Sequence, residues 1–243
     1  MSIYYVGGQS GSGSMADFPL TVTFALTGGT DAVPAASDLV VVTLDLAYSG
    51  ASIAGIIQNA SAVDYTLGAE AYGSDYCDST CRVAYRFMPA TPETTCVLDV
   101  ASGSGAYTYA YTIHVYRNVD QSTPMDVTAV TANGNNTHLA NPGSITPVTP
   151  GAWVHVGGAA SCSNAGAVYT TTDLTNFIST LYGIGSYKSK VGAGYYPSWT
   201  SGAFDPAVFT GGGTDNTDNS WAAVTLALRP ALSSGSLFFG SNF

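Results

Sequence analysis

The chain has 243 residues, enough for one large all-β unit. Only 9% of them are charged, and 6 Lys and Arg stand against 16 Asp and Glu, for a formal net charge of −10. That balance excludes nucleic acid and anionic membranes as partners, since both need clustered basic side chains.

Residues 1–17 open with Met1-Ser2-Ile3-Tyr4-Tyr5, which shows no basic or apolar leader pattern. The run Gly7 to Ser14 that follows has the composition of a flexible arm. Strand signals then dominate. Thr21 to Leu26 alternates, with Val22, Phe24 and Leu26 on one face. Asp38 to Tyr48 reads as a central strand, with Val40, Val42, Leu44 and Leu46 on one side. Its apolar stretch, Leu39 to Leu46, is far too short to span a membrane as a helix. Tyr65 to Tyr72 and Arg82 to Met88 follow. Ala106 to Tyr116 puts Tyr107, Tyr109, Tyr111, Ile113 and Val115 on one face and Thr108, Thr112, His114 and Tyr116 on the other. Trp153 to Gly158 and Trp221 to Leu228 complete the set. Thr172 to Leu181 is the one helix candidate, with Asp173 as cap and Leu174, Phe177, Ile178 and Leu181 at helical spacing. Gly- and Pro-rich turns punctuate these runs, and no repeat of fixed period is visible. The expected fold is an antiparallel, jelly-roll-like β-sandwich with one short helix, spanning 18–230. A tail over 231–243 carries Ser233-Ser234-Gly235-Ser236 and then Leu237, Phe238, Phe239 and Phe243.

Chemistry-bearing motifs are sparse. The phosphate-loop, G-x-S-x-G and H-E-x-x-H patterns are absent, so no catalytic residue, cofactor or metal is expected. His114 and His155 read as structural strand histidines. Cys77 and Cys81 form a C-x₃-C pair, either isolated thiols or a local disulfide; with Cys96 and Cys162 they lack the histidine spacing of a zinc site. Thr214 to Asn219 offers hard oxygen ligands for Ca²⁺ but departs from an EF-hand, so a polar turn is the expectation. Sixteen tyrosines and 3 tryptophans suggest sugar stacking, concentrated at Tyr195, Tyr196 and Trp199.

Several segments resemble all-β structural proteins of tailed bacteriophages: Asp38 to Val42, Arg82 to Met88, Val115 to Asp120 with Thr123 to Val127, Ile145 to Trp153, and Asp218 to Pro230. The resemblance covers roughly residues 18–230. It implies a virion component of capsid decoration, cement, spike or fibre type and brings no catalytic residues. Its partners would be other virion proteins and further copies of itself, a trimer above all. Tyr4, Tyr5, Leu237, Phe238, Phe239 and Phe243 would be the assembly contacts. The other reading is a receptor-binding fibre or lectin-like module on host glycans.

Overall fold

The computed structural model describes residues 1–47, 55–58, 63–75, 77–99, 107–161, 165–184, 187–213 and 219–232. In the first half run β1 (Tyr4–Ser14), β2 (Leu20–Thr23), β3 (Leu39–Ala47), β4 (Gly55–Gln58), β5 (Val63–Asp64), β6 (Thr66–Gly73), β7 (Ser79–Phe87), β8 (Thr95–Asp99) and β9 (Thr108–Arg117). In the second run β10 (Val130–Asn135), β11 (Trp153–Ser161), β12 (Ala165–Thr170), β13 (Thr175–Ile184), β14 (Tyr187–Tyr196), β15 (Thr210–Gly213) and β16 (Ser220–Leu228). The ladders between these strands are antiparallel.

Pairing in the first half is nested. The first strand pairs with the last (β1–β9), the second with the one before it (β2–β8), then β3 with β7 and β4 with β5. β5 and β6 act as one strand bent at Tyr65 between a sheet ordered β1-β9-β3-β7-β6 and a sheet ordered β2-β8-β4-β5. This is a jelly roll. The second half repeats it. Its large sheet is ordered β10-β16-β11-β14-β13, the same sequence of first, last, second, fourth and third strand. β12 pairs with β15, and Ile145 bridges Phe204 where the first roll has β2 on β8. One irregularity also matches. The penultimate inner pairing slips between Leu67 and Glu70 in the first roll and between Thr175 and Ile178 in the second.

The rolls stack through their large sheets, so the molecule has three apolar cores. Val40, Val42, Leu44, Leu46, Tyr109, Tyr111, Ile113 and Val115 fill the first roll. Val154, Val156, Tyr169, Phe209, Trp221 and Ala223 fill the second. Leu39, Val41, Val83, Tyr116, Trp153, Val224, Leu226 and Leu228 lie between them. Both faces of β3, β9, β11 and β16 are therefore buried, and strands buried on both sides carry apolar residues almost continuously. The faces expected for β3 and β9 are the ones observed.

Two sequence expectations are corrected. Residues 175–184 are strand β13, not a helix. The slip between Thr175 and Ile178 adds a residue, so apolar side chains three apart share a face; Leu174 and Phe177 both pack into the second roll's core. Residues 4–14 are no free arm but an eleven-residue strand paired along β9. Its glycines make room for aromatic rings. A Cβ at Gly11 would strike the Tyr111 ring opposite it, and one at Gly13 would crowd the Tyr109 ring. Thus a Gly/Ser composition that suggests flexibility is held in register by the tyrosines of its neighbour.

Candidate functional site

The expected contact residues scatter. Arg117 Nη1 donates to the Tyr4 hydroxyl (2.8 Å), and its guanidinium carbon lies 5.3 Å from that ring's centre. Tyr5 is buried among Tyr195, His114 and Tyr116, with ring centroids 5.3, 5.9 and 6.2 Å away. Pairing of β1 thus turns both tyrosines onto their own chain, and Tyr5 cannot reach a neighbouring subunit. Leu237, Phe238, Phe239 and Phe243 lie outside the described residues, as do Cys162 and positions 214–218 of the candidate Ca²⁺ loop. Cys77, Cys81 and Cys96 are buried thiols, and no disulfide joins the C-x₃-C pair. Burial and the Asp45 carboxyl push the Cys81 thiol far up, and burial takes Cys96 to about 12, so neither is a ready nucleophile.

Tyr195, Tyr196 and Trp199 form no common groove. Consecutive strand residues face opposite sides, so Tyr195 enters the space between the rolls while Tyr196 turns outward. Tyr196 is 37% exposed and stacks on Phe204, with centroids 4.4 Å apart. Trp199 is buried, and its indole nitrogen donates to the Gly202 carbonyl (2.8 Å).

What the structure does assemble is a polar cluster between the rolls. His155, wholly buried on β11, has Nε2 3.0 Å from the Thr43 hydroxyl and Nδ1 2.8 Å from the Tyr116 hydroxyl. A neutral imidazole donates through one nitrogen and accepts through the other, and a hydroxyl at each end satisfies both. His114, also wholly buried, lies with its ring 5.3 Å from that of His155 and donates Nε2–H to the Asn176 carbonyl (3.2 Å). The Asn176 amide donates to the Tyr195 hydroxyl (2.8 Å). Burial lowers the His114 pKa to about 4 and, with His114 beside it, takes His155 well below the usual imidazole range. Further along the same seam Asp45 accepts from the Ser79 hydroxyl (3.1 Å). Burial raises its pKa well above that of an ordinary carboxylate, against the opposing effect of Ser189, Ser79 and two backbone amides. Burial thus favours the neutral form of both imidazoles and seals them from solvent between the rolls.

The arginines are tied to carboxylates of their own chain. Arg82 pairs with Glu70, Arg86 with Glu93, Arg117 with Asp38 and Asp31, and Arg229 with Asp126. Hydrogen bonds from Val148 N, Thr149 and Arg229 hold Asp126 below its usual range despite its burial. Lys190 is buried with its ammonium 4.2 Å from the Tyr169 ring centre. Among the described residues, no three His, Cys, Asp or Glu side chains converge as metal ligands do.

At one end of the stack lies a cleft of about 350 Å³ lined by Ser37, Arg117, Asn118, Gln121, Ala231 and Leu232 among others. Here the two ends of the described chain meet: Met1 N donates to the Ala231 carbonyl (2.7 Å), and Ala231 N to that of Asn118 (2.8 Å). Position 232 is 83% exposed. No family model, curated protein or solved structure matches this chain.

Proposed function

We propose that this chain is a structural component of a phage virion, a decoration, cement or spike subunit that acts by assembly and by presenting its surface. The observation that carries this reading is that its charged and imidazole groups are engaged within the chain. Its four arginines are bound to carboxylates of their own chain, and its three histidines are buried. What faces water is a hydroxyl-rich surface of negative charge on a stiff double block. Attachment falls to the segment after Leu232, a Ser/Gly tether followed by Leu237, Phe238, Phe239 and Phe243. The anchor at Ala231 fixes where that tether starts. Each phenylalanine buried on a neighbour would contribute roughly 1.5–3 kcal/mol before ordering costs.

The test is solution mass at micromolar concentration, for the full chain and for a form ending at residue 232. A closed oligomer, a trimer above all, that falls to monomer on truncation is the expected result; a monomeric full chain would refute assembly through the tail. The glycan reading now rests on the exposed Tyr196–Phe204 stack alone. A glycan array that gives hits for the native chain and none for Tyr196→Ala would favour it.

A further inference from the structure

The two rolls are related by a pseudo-dyad through the centre of their interface. Leu39 pairs with Tyr116 as Trp153 pairs with Leu228, so each residue of β3 and β9 has a counterpart in β11 and β16. Thr43 corresponds to Gly157, and these two meet: a Cβ on Gly157 would clash with the Thr43 methyl group. The outer strands obey the same relation, with β1 beside β13 and β6 beside β10.

The side chains do not obey it. Counterparts of His114, Tyr116 and His155 are Leu226, Leu228 and Val41, which pack in the same interface. One half of the interface is therefore a hydrogen-bonded His–Tyr–Thr set, and its symmetry mate is purely apolar. We propose that this asymmetry is a pairing key: it makes the large sheet of the first roll accept the second roll and reject a second copy of itself.

Identical topology and matching register mean that two first rolls from different chains could stack as the first and second do. Their second rolls could then stack likewise, closing a dimer. In a pair of second rolls each His155 would face Gly157 and Leu228 where it now has Thr43 and Tyr116, and both ring nitrogens would be stranded. In a pair of first rolls each Tyr116 hydroxyl would face Val41. Only the unlike pairing joins every one of these groups. A buried polar group left without a partner is costly, and isolated polar groups in apolar interfaces are the best-attested device for choosing a partner.

The test replaces the polar half by its own apolar counterpart, in the triple substitution His114→Leu, Tyr116→Leu, His155→Val. Thr43→Cys is added as a reporter. In a like pairing the introduced thiol faces the same thiol of the other chain across the dyad and forms an intermolecular disulfide; in the native pairing it faces Gly157 and cannot. Both this protein and a control carrying Thr43→Cys alone are refolded at high concentration and oxidised gently. The peptide cross-linked through position 43 of both chains is counted by mass spectrometry. At least about a tenfold rise in that cross-link over the control is expected, which corresponds to about 1.4 kcal/mol of lost discrimination. A variant that folds and shows no rise overturns the proposal. Should the triple variant fail to fold, His155→Val alone, with the same reporter, is read by the same criterion.

Discussion

The two halves of the inter-roll interface do the same mechanical job with opposite chemistry. Around Val41, Leu226 and Leu228 the contact is apolar and adaptable. Around Thr43, Tyr116 and His155 it is directional, because each hydrogen bond has one donor, one acceptor and one geometry. The apolar half supplies most of the driving force for stacking. The polar half adds little net stability but penalises any other arrangement. A duplicated architecture needs such a distinction, since matching sheets offer matching surfaces.

The contrast breaks most sharply when the apolar half is made polar without partners. Leu226→His is expected to cost about 3–5 kcal/mol, through lost packing and a stranded imidazole. His114→Leu, the reverse exchange, should change stability by less than about 1.5 kcal/mol. Urea unfolding of the two variants checks this pair.

Next comes acid. His114 has a folded pKa of about 4, depressed from 6.5, and His155 is depressed as well. The unfolded chain therefore binds their protons first. The contribution of neutral burial is complete above pH 6.5 and lost as the pH falls toward 4. For His114 alone the loss approaches about 3 kcal/mol, at about 1.4 kcal/mol per pKa unit. Thermal melts between neutral pH and the folded pKa of His114 should show this fall in the native chain and a much shallower one in the variant carrying His114→Leu with His155→Val.

Smaller still is Tyr116→Phe, which removes one partner of His155 and nothing of the ring. A loss of about 1–2 kcal/mol is expected, against almost none for Tyr85→Phe, whose partly buried ring packs beside Val41 on the apolar half. Asp45→Asn should act with the opposite sign. The folded pKa of Asp45 is raised above 3.8, so its contribution is complete below pH 3.8 and lost as the pH rises. At neutral pH the amide should be the more stable form, and below pH 3.8 its advantage should vanish. Paired denaturation curves on either side of that value read it directly.

The sequence was legible where strands are buried and regular. The alternation in β3 and β9 marked the right faces because no bulge interrupts them. It misled where a bulge inserts a residue, since apolar spacing across Thr175–Ile178 mimics a helix. It misled at β1, where glycine means room for a tyrosine rather than freedom. The doubling was invisible because it resides in pairing order, not in residue identity: His114 and Leu226 occupy one topological position with nothing chemical in common. The cluster was half legible. His114 was placed opposite the tyrosines of β9, but its meeting with His155 needs the stacking of two rolls.

The proposed function rests on enclosed imidazoles: His114, His138 and His155 are all buried. Histidine modification by diethyl pyrocarbonate at neutral pH, followed by peptide mass analysis, tests it most directly. His114, His138 and His155 should all stay unmodified in the folded chain and react together on unfolding; rapid labelling of His114 or His155 in the native protein would contradict the account.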